Sequence, residues 1–236
     1  MTDISKLHTY LKTMAYEQDL NKPVDLQGGH NPFITISRET GAGGHSLAAA
    51  LLKLMAKHGT KSLSGWHVLD QEICEKVAAE PGLKVSLHRL LSEEYHSQIE
   101  DMIVEMFAGD TPQDAVARRM FAMMRTLATF GKVILIGRAG AFVTQDLPLG
   151  IHVRLVAPVS VRIRRMAAVM KTDENQARRF IEAQDEARAK LVKVFFNGDI
   201  ADPLYYHATF NTGRLSIENA AEAVLGQLHK KEPVLR

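Results

Sequence analysis

Cysteine is nearly absent from this 236-residue chain: Cys74 stands alone, which excludes an internal disulfide and a cysteine-rich zinc site. An excess of one charge is missing too. Twenty-nine Lys and Arg against 27 Asp and Glu leave a formal charge of +2. That balance makes no case for bulk nucleic-acid or membrane binding, although it leaves a local basic groove open. The ten histidines fall in no H-E-x-x-H or comparable spacing, so a metal cage built wholly of protein ligands is not expected. The start, Met1-Thr2-Asp3-Ile4-Ser5-Lys6, lacks the basic-then-apolar pattern of a signal, and no apolar run approaches a membrane span. A reducing cytoplasm is the expected location.

The length suits one α/β domain with a helical insert and a full core. Ile4, Leu7, Leu11 and Met14 recur at helical spacing, so residues 3–20 are expected to form an amphipathic helix. It is a candidate for packing on the sheet or for self-association into a homo-oligomer. A stretch rich in breakers follows, Lys22-Pro23 through Gly28-Gly29-His30-Asn31-Pro32, so 1–32 reads as a helix and linker ahead of a main domain at 33–230. Five segments there have strand character: Phe33–Ser37, His67–Leu69, Val133–Ile136, Ile151–Ala157 and His207–Asn211. Helical patterns separate them, which predicts a mostly parallel sheet with helices on both faces.

Two helical stripes stand apart from that alternation. Ile99, Met102, Ile103, Met106 and Phe107 form one; Val116, Met120, Met123, Met124 and Leu127 form the other, after Thr111-Pro112. They suggest a helical insert over 84–130. Further helices are expected over 159–170 and 173–195, before the loop Asn197-Gly198-Asp199-Ile200-Ala201-Asp202-Pro203.

The chemistry concentrates after the first strand, in Ser37-Arg38-Glu39-Thr40-Gly41-Ala42-Gly43-Gly44-His45-Ser46. Strand, glycine-rich turn and helix in succession make a phosphate-binding loop, in which backbone N–H groups and a helix N-terminus converge on an anion. Gly41, Gly43 and Gly44 supply the positive φ that such a turn demands. A lysine is missing: Gly44-His45-Ser46 stands where Gly-Lys-Ser/Thr is usual. Arg38 is the candidate replacement cation, against the alternative of a local salt bridge. Protonated His45 would donate to a phosphate, or else cap the helix surface. Ser46 would touch a phosphate or a metal-bound water.

Three further groups join the loop. Ile136-Gly137-Arg138 ends a buried strand at the sheet edge where ligands bind in open α/β folds, so Arg138 either points into that crevice or pairs with an acid. Asp70, at another strand end, would orient a hydroxyl or a metal-bound water, or cap the next helix. Arg162, Arg164 and Arg165, with Asp185 and Arg188, suit a lid that closes cations over a phosphoryl group. The alternative for each is a solvated charged face.

Taken together, these residues resemble the cytidylate kinase-like family, from about Phe33 to Leu228. The likeness rests on Ile-Ser-Arg-Glu-x-Gly-x-Gly-Gly at 36–44, Leu69-Asp70, Ile136-Gly137-Arg138, the Arg162–Arg165 helix, Asp185-x-x-Arg188, and Asn211-Thr212-x-Arg214-Leu215-Ser216-Ile217-Glu218. The resemblance implies a P-loop kinase fold with a five-stranded parallel sheet, a helical monophosphate-binding insert and a lid at about 160–203. It implies ATP and Mg²⁺ as cofactors and CMP or dCMP as acceptor. Loop residues 41–46 would hold ATP, and Ser46 the metal. Asp70, Lys76 and Arg138 would hold the acceptor, with Arg138 on its phosphate. Arg38, Arg162, Asp185 and Arg188 would serve the transferring group. The chain departs from well-characterised cytidylate kinases at Gln71, at Lys76 where they carry arginine, and at Ala139 where they carry an acid. A nucleotide sensor without catalysis, and a kinase for another acceptor, therefore stay open beside the leading reading.

Overall fold

A computed structural model of the chain describes residues 31–70, 112–137 and 139–231. The helix expected at 3–20, most of the linker, the stripe at 99–107, Lys76 and Arg138 lie outside the described residues.

The five predicted strands are present as β1 (Phe33–Arg38), β2 (His67–Asp70), β3 (Val133–Ile136), β4 (Gly150–Val156) and β5 (Ala208–Asn211). They form one sheet in the order β2-β3-β1-β4-β5, with every pair parallel. Their boundaries differ from the sequence expectation by a residue at several ends, where strands fray into turns. The parallel arrangement brings Arg38, Asp70, Ile136, Val156 and Asn211 to one edge of the sheet.

Side-chain alternation divides the core into two layers. Ile34, Ile36, Ile134, Ile136, Val153 and Leu155 pack against helix α1 (Gly44–His58) and the C-terminal helix, which spans Ile217–Lys231. Phe33, Leu69, Val133 and Leu135 face the other way, onto α2 (Pro112–Phe130) and the short α3 (Gly140–Val143).

The second methionine stripe belongs to α2, which leads into β3. Met120, Met124 and Leu127 are buried on the sheet as the stripe requires. Val116, nearer the helix start, is 57% exposed, because burial along this helix begins at Ala117. Phe121 falls outside the stripe yet is fully buried. Its ring meets Phe195 and Phe196 at 5.4 and 5.3 Å, so α2 is covered on two sides and a single stripe undercounts its core. Arg125 fastens α2 to the turn after α3 through both oxygens of Asp146 and the Val143 carbonyl. That guanidinium holds the Asp146 carboxyl below the usual carboxylate range.

Two long helices complete the second half, α4 (Val159–Met170) and α5 (Glu174–Phe196), with α6 the C-terminal helix already described. Asp173 caps α5 by accepting from the Gln176 N–H at 2.9 Å. Ile163 on α4 and Ala177 and Ile181 on α5 are buried in a small core of their own, so the pair packs as an arm over the sheet edge. Among the described residues no helix is long and apolar enough to cross a membrane.

Candidate functional site

The glycine-rich turn lies at the C-terminal edge of β1, the central strand, which is flanked by β3 and β4. Gly41 and Gly43 adopt φ of 81° and 96°, a region that L side chains rarely enter. At Gly41, where the neighbour is backbone, space forbids a side chain as well. A Cβ on Gly41 would come within 2.9 Å of the Arg162 carbonyl oxygen, and one on Gly43 within 2.9 Å of the Ile217 Cδ1.

Three successive loop carbonyls are bound from one side. Arg162 Nη1 donates to the Thr40 oxygen at 3.3 Å, Arg165 Nη1 to the Gly41 oxygen at 3.3 Å, and the Thr212 hydroxyl to the Ala42 oxygen at 2.9 Å. With the carbonyls so engaged, the N–H groups of Gly41, Gly43, Gly44, His45 and Ser46 have no acceptor among the described residues. Helix α1 begins at Gly44 with no side-chain cap, so its orphan donors join the same concavity. The result is an N–H nest with a helix N-terminus behind it, which favours an anion such as a phosphate.

Asp185 organises the neighbouring cations. Its Oδ1 accepts from the Thr40 N–H at 2.8 Å, the Thr40 hydroxyl at 2.7 Å and Arg188 Nη1 at 3.0 Å; its Oδ2 accepts from Arg162 Nη1 at 2.7 Å. Arg188 also donates to the Thr40 hydroxyl at 2.5 Å. Arg162 is itself buried. Its Nε serves the Ala157 carbonyl at 3.0 Å and pairs with Glu39 at 3.2 Å. Glu39 in turn accepts from the Ala157 N–H. Arg162 thus holds the loop from beneath, whereas Arg188 and Arg38 reach the open side.

Arg38 spans two glycines. Its Cγ and Cδ lie against Gly44, while its Nη1 occupies the space that a Cβ on Gly137 would fill. Gly137, at φ 87°, is therefore required both for the turn and for the guanidinium. A narrow crevice opens here between the sheet edge and α5, lined by Ser37, Arg38, Gly137, Ala139, Arg188, Leu191 and Ile200. Ala139 caps α3 in a left-handed conformation at φ 58°, where Ala is strained and Asn or Asp is better tolerated.

The remaining predicted residues occupy the mouth of the loop. His45 Nε2 lies 3.6 Å from Asp70 Oδ2, with the imidazole largely exposed. Ser46 is exposed in the first turn of α1. Arg154 and Tyr206 carried no signal of their own in the sequence, and Thr40 and Thr212 stood in its motifs without an assigned role. Burial pushes the Tyr206 phenol above its ordinary range; it donates to the Ile200 carbonyl at 2.9 Å and lies 3.3 Å from the Ser37 hydroxyl.

This geometry has a counterpart among known families: a model described as the cytidylate kinase-like family matches residues 33–214, from the first residue of β1 to the turn after β5. The chain belongs to that family. Phosphoryl transfer is the general chemistry that membership supports. No curated protein matches the chain. Among solved structures, an uncharacterized protein from Eubacterium ventriosum is similar at 18% identity, over 84% of this chain and 99% of that one, with a TM-score of 0.60. At that identity the likeness is one of fold. Shikimate kinases from Acinetobacter baumannii, in complex with shikimate, and from Bacteroides thetaiotaomicron are more distant. Both have a TM-score of 0.44, with 18 and 15% identity over 86 and 84% of this chain and 96 and 97% of theirs.

The residues of this family member fit the phosphates of a nucleotide, because the loop N–H groups of Gly41, Gly43, Gly44, His45 and Ser46 converge with no acceptor among the described residues. They also fit a Mg²⁺ ion that arrives with those phosphates. The exposed Ser46 hydroxyl offers an oxygen at the mouth, and such ions commonly keep few protein ligands. Among the described residues, no cluster of three or more His, Cys, Asp or Glu forms a metal cage.

Proposed function

We propose that this chain is an ATP-dependent kinase that phosphorylates a nucleoside monophosphate, with CMP or dCMP the acceptors its family resemblance favours. The observation that carries the reading is the N–H nest at 41–46, with the Arg38 and Arg188 guanidinium groups beside it at one crevice. Phosphoryl transfer needs positioned positive charge more than covalent chemistry. ATP would supply the phosphoryl group, and Mg²⁺ the charge that bridges its phosphates.

The residues of the chain divide the remaining work. The loop N–H groups bind phosphate oxygens, and Arg38 provides the cation that a loop lysine provides elsewhere. Arg188 reaches the transferring group, while Asp185, Thr40 and Arg162 keep the loop in its binding shape. Arg138 and Lys76, with Asp70, are assigned to the acceptor. The arm of α4 and α5 excludes water from the crevice.

The test is ADP release with CMP, dCMP, UMP and AMP as acceptors. Arg38→Ala is expected to lower kcat by roughly 100- to 1,000-fold, the cost of removing one transition-state donor. Turnover that survives intact in that variant would exclude Arg38 as the replacement cation.

A second reading is a nucleotide sensor without catalysis. It is favoured by Asp185 and Arg188 being engaged with Thr40 of the loop, which latches the arm to it. ATP binding without turnover on any acceptor would select it. Turnover confined to acceptors other than CMP and dCMP would point to the altered Ala139 position.

A further inference from the structure

Arg154 differs from the other buried arginines. Arg125 faces Asp146, and Arg162 faces Glu39 and Asp185. Arg154 is only 7% exposed, yet among the described residues no carboxylate comes within ion-pair distance of it. Asp199 is near enough to act on the Tyr206 hydroxyl, but its Oδ1 is engaged by the Ala201 N–H at 2.8 Å. Ser37 and Tyr206 hold the guanidinium: Nη1 donates to the Ser37 hydroxyl at a long 3.3 Å, the Tyr206 ring centroid lies 5.8 Å from Cζ, and the Tyr206 hydroxyl accepts from the same group. A guanidinium has five N–H donors. Burying its charge without an opposite one is costly.

Its position gives that charge a use. Arg154 on β4 is in register with Ser37 on β1, and Ser37 lines the crevice beside Arg38 and Arg188. Tyr206, which covers Arg154, is anchored to Ile200 on the same wall. The one Tyr206 proton takes the shorter bond to the Ile200 carbonyl, so the Ser37 hydroxyl accepts from Arg154 and has its own proton to turn from the Tyr206 oxygen, 3.3 Å away, to a ligand.

We infer that Ser37 on the crevice wall, with Arg154 and Tyr206 directly behind it, forms an oxyanion subsite, and that the acceptor brings a phosphate or carboxylate oxygen to it. The inference rests on the crevice being the acceptor site. A phosphate monoester and a carboxylic acid share this chemistry. The first fits a nucleoside monophosphate, and the second fits an acidic acceptor of another kind.

The experiment compares the full-length protein with Arg154→Met and Arg154→Lys. Inorganic phosphate, acetate, CMP and uncharged cytidine are titrated by calorimetry, with and without saturating ADP to occupy the loop. Thermal unfolding is followed in parallel. Arg154→Met is expected to melt no lower than the parent protein, because an uncompensated buried charge has gone. In the ADP-saturated protein it should weaken phosphate and CMP, or acetate, by roughly 10- to 100-fold. Arg154→Lys should recover part of that loss, and cytidine binding should not respond. Loss confined to phosphate and CMP identifies the monoester, and loss confined to acetate the carboxylate. A variant that melts lower while every anion affinity stays unchanged would make Arg154 a structural stack on Tyr206 and overturn the proposal. If ADP fails to bind, the kinase reading falls, and the ADP-free comparison still decides the role of Arg154.

Discussion

Asp185→Ala should loosen the phosphate loop by removing its anchor at Thr40. The carboxylate accepts from Thr40 N–H, Thr40 hydroxyl, Arg162 and Arg188. Its removal leaves Arg162, 9% exposed, with Glu39 as its remaining carboxylate partner. Charge-assisted hydrogen bonds contribute about 1.5–3 kcal/mol each. Because Asp185 is 28% exposed, solvent recovers part of that, and the sum is about 3 kcal/mol. For a domain of this size each kcal/mol shifts the melting temperature by about 2–4 °C, so a fall of roughly 6–12 °C is expected in a thermal scan. ATP affinity, read by calorimetry at a temperature where the variant is folded, should fall about tenfold as the loop loses about 1.4 kcal/mol of preorganisation. A variant that melts within 2 °C of the parent (roughly half a kcal/mol) and binds ATP equally well would refute the role assigned to this latch.

Gly41→Ala combines a left-handed backbone with a collision on the Arg162 carbonyl oxygen; it should cost about 2 kcal/mol or more and abolish ATP binding in the same titration. Ala139→Asn relieves the strain at φ 58° and should raise stability by about 0.5–1 kcal/mol in urea unfolding. His152 is pushed down to about 4, first by burial and then by the positive fields of His207 and Lys231. Its neutral form is the folded one, so stability is full above about pH 6.5 and declines as pH falls toward 4. The loss at pH 4.5 is about 2–3 kcal/mol, at roughly 1.4 kcal/mol per pKa unit. His152→Leu should flatten that part of the urea-midpoint profile, and an unchanged slope would show that another group sets it.

The sheet was legible because its strands keep a period of two against two apolar layers. Ile34 and Ile36 face one, Phe33 and Thr35 the other, and no distant partner is needed to see it. Helix α2 was harder. Phe121 is buried by Phe195 and Phe196, and a stripe drawn for one face cannot anticipate a second covering layer. The loop was readable from its glycines, and Arg162 from its spacing to Arg165. The direction of Arg162 was not, because its Asp185 and loop-carbonyl partners arise only on folding. Thr40 meets Asp185 across 145 positions and Tyr206 meets Ser37 across 169. Threonine and tyrosine in such places look ordinary until the chain closes around them.

The bonds from Arg162, Arg165 and Thr212 to three consecutive loop carbonyls give the cradle its shape before any anion arrives. An incoming nucleotide therefore has little backbone left to order, and the entropic cost of its capture is confined largely to its own freedom. Its binding heat capacity should reflect only the surface covered at contact, without the large negative contribution of coupled folding. Arrival should behave as a simple encounter with a preformed receptor, and affinity differences among nucleotides should lie mainly in how long each one stays.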